Sequence, residues 1–263
     1  MRLQLVNLLL FSDKRKNFLL LLAEGPKSIG EALIELQVPR ISFLPQVKKL
    51  KEEGIIVQDG DMYRLSLIGE ILVNKARPLV DAAGVFESDE FFWSQRKLDV
   101  VPFHLLKRIG ELKGCCPVEP GITHGFDSFP DIVENFSEPA EVMMLFSYFH
   151  PHIPSFLLSV AKKGVELKLV FLRVVFERFA KDFHNEAEQI LKQENSSVFV
   201  LDASAQETPA LIAVSDHTLI LGLFNKKGRF DGQYLKGSEP SALYWGKELF
   251  DHYMGEATEI SSM

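Results

Sequence analysis

Apolar residues recur with a helical period in two successive stretches near the start of the chain. Ile29, Leu33 and Leu36 lie three and four positions apart, and Phe43, Val47 and Leu50 repeat that spacing after a short break. Each set predicts an amphipathic helix with one stripe to bury. Ser28 precedes the first helix with Glu31 three positions on, the reciprocal pair that satisfies free amides at a helix start. Gln37-Val38-Pro39 reads as the turn. The second helix is expected to start near residues 40–42 and to run to Glu53. Pro45 has no amide hydrogen and suits only a first turn, which puts the regular helix at residues 42–44 onward. Residues 55–58 and 62–66 flank Asp59-Gly60-Asp61, a turn sequence that makes them a β-hairpin. Before this block, residues 3–11 and 17–22 predict a helix pair or one long helix, stopped at Glu24-Gly25-Pro26. After it, residues 67–80 resume a helical pattern suited to pairing two subunits.

Helix, turn, basic helix and hairpin follow one another in the order of a winged helix-turn-helix, whose second helix enters the major groove of DNA. With Phe43, Val47 and Leu50 turned inward, Ser42, Gln46 and Lys49 are expected on the opposite side, with Arg40 and Lys48 beside them. Gln46 suits a bidentate bond to adenine, and Arg40 or Lys49 suits guanine or phosphate. Lys27 and Ser28 at the preceding helix start, and Arg64 next to Tyr63 in the wing, complete the expected contacts to double-stranded DNA. Asp59 and Asp61 repel phosphates, so deep insertion of the wing is not expected.

Net charge first argues against this reading, because the 263 residues sum to −7. The sign is unevenly spread. Residues 1–75 carry 11 bases and 9 acids, and the rest 18 bases and 27 acids. Cations therefore gather where phosphate contact needs them, and the small excess calls for a dimer on a palindromic operator. Two other readings stand beside it. Lys48, Lys49 and Lys51 can simply solvate an amphipathic helix, and the acidic wing suits a protein partner in place of DNA.

The rest of the chain has a different period. Residues 141–147, 165–172 and 197–201 read as strands and 153–163 and 175–193 as helices, an alternation that implies a parallel sheet covered by helices. Residues 211–214 and 218–224 straddle Ser215-Asp216-His217 as an antiparallel hairpin, and 241–253 form a closing helix. Residues 104–112 read as a short helix and 114–129, rich in Gly, Pro and Cys, as a loop or edge strand. The expected class is α+β. A DNA-binding domain at 1–75 joins, through a helical segment at 76–102 that also dimerises, a sensor domain at 103–263. Ligands of open α/β sheets sit beyond the carboxyl ends of the strands. Those ends carry Tyr148, His150 and His152, then Arg173, then Asp202. Together they suit a small anionic or polar effector, with Arg173 as charge partner and Tyr148 as aromatic wall. The plainer alternatives are that Arg173 pairs with Glu177 and that the residues around His150 only turn the chain.

The stretch Leu44-Pro45-Gln46-Val47-Lys48-Lys49-Leu50, the Gly54-Ile55-Ile56 step and Tyr63-Arg64-Leu65-Ser66-Leu67-Ile68-Gly69 resemble archaeal ArsR-like winged-helix regulators, in particular the methanogenesis-regulatory family. The likeness extends over most of the chain and implies a dimeric transcription regulator with a carboxy-terminal sensor. Metal sensing does not carry over, because the Cys and His clusters of metal-sensing relatives are missing. The second half looks like the phospholipase D-type sheet, but that chemistry needs a lysine two positions after a histidine. Here Thr218 and Leu219 follow His217, and the lysine after His104 stands three positions on. No phosphate loop, nucleophile elbow or zinc motif is found either, so catalytic residues, metal and cofactor are not expected, and a phosphodiesterase is the weaker rival. Cys115 and Cys116 are adjacent and cannot staple the fold. The apolar runs around residues 8–10 and 19–22 are interrupted by Asp13 to Lys16, so neither reaches membrane-spanning length. A cytoplasmic, membrane-free protein is the expectation.

Overall fold

A computed structural model describes residues 4–119, 136 and 140–261. The chain is a mixed α/β protein that divides into two compact units, Met1–Asp81 and Ala82–Met263.

In the first unit, helices α1 (Gln4–Leu10) and α2 (Asp13–Leu22) are separated at Ser12, the N-cap residue of α2. Strand β1 (Lys27–Ser28) precedes α3 (Ile29–Leu36), and Ser28 and Glu31 form the reciprocal capping box. Gln37 ends α3 in the left-handed region at φ 51°, and α4 (Arg40–Glu52) begins after Pro39. Helix α4 starts earlier than Pro45 suggests, and Pro45 lies inside it. The side chain is exposed, so its ring displaces no core neighbour, and the cost is the bond it cannot donate to Ile41 together with the crowding of that carbonyl by the ring. Strands β2 (Ile56–Asp59) and β3 (Met62–Leu65) form the hairpin, and β1 adds to β3 as a third strand. Phe43, Val47 and Leu50 of α4 are buried with Phe18, Leu19 and Leu22 of α2, and the Phe18 and Phe43 rings meet edge to face at 5.0 Å. The cap on α3 is local enough to test alone. Ser28→Ala removes an acceptor and is expected to lower stability by about 1 kcal/mol, read as a lower urea midpoint at unchanged slope.

Helix α5 (Leu67–Ser88) leads into the second unit. There α6 (Glu90–Gln95), the single turn α7 (Phe103–Leu106) and a 3-10 turn (Ile109–Leu112) precede the edge strand β4 (Cys116–Val118). The rest of the expected 114–129 segment lies largely outside the described residues. Strand β5 (Glu141–Phe146), helix α8 (Ile153–Lys162) and strand β6 (Glu166–Leu172) follow. The long helix expected at 175–193 is two, α9 (Arg173–Asp182) and α10 (His184–Leu191), parted at Phe183. Strands β7 (Ser196–Leu201), β8 (Leu211–Ser215), β9 (Leu219–Gly222) and β10 (Tyr234–Gly237), helix α11 (Pro240–Met254) and strand β11 (Thr258–Ile260) complete it. The strands form one sheet in the order β11-β7-β6-β5-β8-β9-β10-β4. Pairing is parallel across β5-β6-β7 and antiparallel elsewhere. That change of sense follows from the connections, since helices return the chain between β5, β6 and β7 while a short turn joins β8 to β9. On α11, Trp245, Leu249 and Phe250 are fully buried, and the Trp245 indole donates to the Leu105 carbonyl at 3.0 Å. Trp245 is therefore part of the core.

Candidate nucleic-acid interface

The buried stripe of α4 determines what its other side presents. At about 100° per residue, the side opposite Phe43, Val47 and Leu50 carries Ile41, Pro45, Lys48 and Glu52. Ile41 is 90% exposed. Ser42 and Gln46 stand on the flank and are half-buried, whereas Arg40, Lys48 and Lys49 are exposed. The expectation that Ser42 and Gln46 occupy the outermost face is corrected by this geometry. Both are tied inward. The Ser42 hydroxyl donates to the Pro39 carbonyl at 3.0 Å, and the Gln46 Oε1 accepts from Arg15 at 2.6 Å. Arg15 also donates to the Leu8 carbonyl, so it ties the end of α1 to α4. A bidentate adenine contact through Gln46 requires its Oε1 to be shared with Arg15 or released from it.

Other expected contact residues are also engaged within the unit. Lys27 is paired with Glu35 at 2.7 Å, and that carboxylate's hydrogen bond raises the lysine's pKa. Ser28 holds the capping box, and the backbone amide of Ser28 keeps the Glu31 carboxyl below its ordinary range. Lys51 donates to Gln58 in the hairpin at 2.8 Å. Lys48 stands 3.7 Å from Glu52 with both side chains largely exposed, a pair of little energetic weight. Arg64 is exposed on β3 and, among the described residues, reaches only the neighbouring Leu65 carbonyl at 3.5 Å. Arg40 and Lys49 have no side-chain partner among the described residues. The available cations are thus Arg40, Lys49 and, at small cost, Lys48 and Arg64. Placing Phe43, Val47 and Leu50 on a helical wheel reveals Ile41 and demotes Gln46, whereas the Arg15 bond joins residues 31 apart and leaves no sequence signal.

In the second unit, Arg173 at the end of β6 and Asp202 after β7 are brought together as a two-point ion pair, with Nη2 to Oδ2 at 2.7 Å. Its hydrogen bonds raise the pKa of Arg173 and lower that of Asp202. They line an open cleft of about 430 Å³ together with Glu177, Ser204 and Glu207. Three carboxylates face one guanidinium there, so the cleft does not offer an unpaired positive charge to an anion. Tyr148 and His150 do not line it. Tyr148 packs on Phe230 with ring centroids 4.9 Å apart, and His150 accepts from the His152 amide. His217 is largely exposed on the turn between β8 and β9, 3.1 Å from Asp216. Among the described residues no group of three His, Cys, Asp or Glu side chains converges as a metal site, and no helix is long and apolar enough to cross a membrane.

The chain resembles the archaeal methanogenesis-regulatory family. Residues 126–256 match the family model described as the middle domain of the methanogenesis regulatory protein FilR1. A curated relative is the methanogenesis regulatory protein FilR1 of Methanothrix harundinacea (strain 6Ac), 21% identical over 260 residues, 95% of this chain. The match takes in 56% of that protein, so the chain spans about half the length of the curated relative. Among solved structures, the archaeal chromatin protein TrmBL2 is similar at 14% identity and TM-score 0.45, over 94% of this chain and 93% of that one. Nuc from Salmonella typhimurium, a phospholipase D family member, is similar at 16% identity and TM-score 0.39, over 51% of this chain and 91% of its own.

Proposed function

We propose that the chain is a DNA-binding transcription regulator whose first unit is a winged helix-turn-helix. The observation that carries it is the surface of α4, which holds its apolar stripe in the core and leaves Arg40 and Lys49, without side-chain partners among the described residues, and Lys48 exposed. The elements around it agree, with a capped α3 ahead and the β2–β3 hairpin behind. Residues 1–75 form the DNA-binding part, 76–102 join and dimerise, and 103–263 sense an effector or mediate assembly. A dimer on a palindromic operator requires two copies of α4 to match about one helical turn of DNA. The cleft at Arg173 and Asp202 is the effector site this reading favours, and its charge suits a polar or cationic molecule better than an anion. The similarity to a methanogenesis regulatory protein supports a regulatory role and offers none for a catalytic one.

Arg40→Ala with Lys49→Ala, assayed by electrophoretic shift at fixed salt on duplexes selected from a random pool, is expected to weaken binding on the order of ten- to a hundredfold. Unchanged affinity in the folded variant would reject this face. A protein partner for the same unit has one specific observation in its favour, the exposure of Ile41 and of Ile34 on α3 at 78%. Salt separates the two readings, since phosphate contacts release counterions and make affinity fall steeply with ionic strength.

A further inference from the structure

The second unit is strongly acidic, with 17 bases and 26 acids over residues 82–263, and about half of its described cations are neutralised by a neighbour. Arg96 faces Asp231, Arg108 faces Glu111 and Glu248, Lys168 and Lys247 share Glu141, Arg173 faces Asp202, and Lys192 faces Glu188. The 225–229 turn, between β9 and β10, gathers three cations that stand outside these pairs. Lys226, Lys227 and Arg229 are exposed, and none has a side-chain partner among the described residues. Three positive charges thus stand within four residues of one another on an otherwise negative unit. Exposed in water, the three repel one another only weakly, and together they offer an anion a compact positive site.

The turn holds this arrangement through its backbone. The Asn225 side-chain oxygen accepts from the amides of Lys227 and Arg229 at 3.0 and 3.1 Å. The Asn225 carbonyl accepts from Gly228, whose φ of 73° closes the turn, and the Asn225 amide donates to Arg229. The Lys226 amide donates to the Gln95 carbonyl at 2.9 Å, which ties the turn to the end of α6. The backbone is therefore ordered before any ligand arrives, while the three side chains remain free to reach one.

We infer that the 225–229 turn is a second DNA-contacting site, which binds backbone phosphates through Lys226, Lys227 and Arg229 without reading bases. The inference rests on the proposed function for the choice of duplex DNA as the anion. The two lysines act as point charges toward phosphate and the Arg229 fork matches a phosphate bidentately, contacts that are made on any sequence.

The test is the salt dependence of binding by the full chain to a 40-base-pair duplex of mixed sequence. K226Q/K227Q/R229Q removes three charges and keeps Asn225 and Gly228. Each phosphate contact contributes about 0.9 to the slope of log affinity against log salt, so the slope is expected to become shallower by about 2 to 3. K162Q/K181Q/K236Q is the control, removing three other exposed lysines without side-chain partners among the described residues; its slope is expected to match the wild type. An unchanged slope in the first variant, or an equal loss in the control, overturns the inference. If the unaltered chain binds, R40A/K49A weakens it and the turn variant does not change the slope, this inference falls and the regulator reading stands. If the unaltered chain fails to bind any duplex, both fall. Loss of binding to phosphatidylserine vesicles with the duplex slope intact makes the turn a membrane contact and overturns it too.

Discussion

Replacing Gly69 by alanine is expected to destabilise the first unit by about 3 kcal/mol, at the upper end of what overpacking costs. A Cβ built there lies 2.1 Å from the Ile55 carbonyl oxygen and 3.2 Å from its carbon. The obstacle is backbone, and it is already engaged, because the Ile55 carbonyl accepts from the Ser66 amide at 2.9 Å. Ser66 in turn donates its hydroxyl to the Gly54 carbonyl and accepts from the Gly69 amide. Any shift that admits the methyl group must therefore separate the first turn of α5 from the strand leading into the hairpin. Helix propensity acts in the opposite direction, favouring alanine by about 1 kcal/mol in a helix, so the sign reports which effect wins. For a unit of this size 3 kcal/mol corresponds to roughly 12 to 24 °C in melting temperature. Hydrogen exchange along residues 4–81 against temperature measures it, and a melting point equal to or above the wild type would show that the contact relaxes freely. Since the hairpin and α4 share one core, DNA binding is expected to fall with the fold.

Gly69 was visible in the sequence only as the end of a family-like stretch, and the reason for it lies in a contact fourteen residues away. That contrast runs through the protein. The capping box at Ser28 and Glu31 and the turn at Gly60 were readable because their partners lie within a few positions. The strands and helices from Glu141 to Leu172 were readable because buried runs and amphipathic stripes have different periods. Strand β1 was not, since two residues carry no period and Lys27–Ser28 becomes a strand only by pairing with β3. The sheet order was likewise out of reach. Strand β11 reaches the far edge by pairing with β7, and β4 pairs with β10 more than a hundred residues later. In the candidate interface, the cationic character of α4 was legible but the rank of its side chains was not. Arg15, which occupies Gln46, belongs to a different helix. The rim expected from strand ends held for Arg173 and Asp202, which consecutive parallel strands bring side by side. It did not hold for Tyr148, whose ring packs on Phe230 from a loop with no sequence link to it.

The second large effect is expected at Asp231. Arg96 is 2% exposed, yet it carries its charge into the second unit, where Nη1 donates to both Asp231 oxygens at 2.8 Å and Nη2 donates to Gln233. Its guanidinium also lies 4.5 Å from the centre of the Phe92 ring. Asp231→Ala leaves that cation desolvated and without its counter-charge, a change that costs roughly 3 to 5 kcal/mol for a fully buried pair. The Asp231 side chain is 38% exposed, so water reaches the gap and about 2 to 3 kcal/mol is the expected loss, or roughly 4 to 12 °C for a unit of this size. The double variant Arg96→Met with Asp231→Ala removes both charges and is expected to be more stable than Asp231→Ala alone. That order distinguishes an uncompensated charge from lost packing, which would make the double variant the worse of the two. The consequence extends to the basic turn. Arg96 bridges to Asn225 as an isolated β-pair, and Lys226 is tied to Gln95 next to it. Loss of the Arg96 anchor should raise hydrogen exchange at residues 225–229 before the rest of the sheet opens. Protection there that persists in Asp231→Ala would show that Asn225 and Gly228 hold the turn without it.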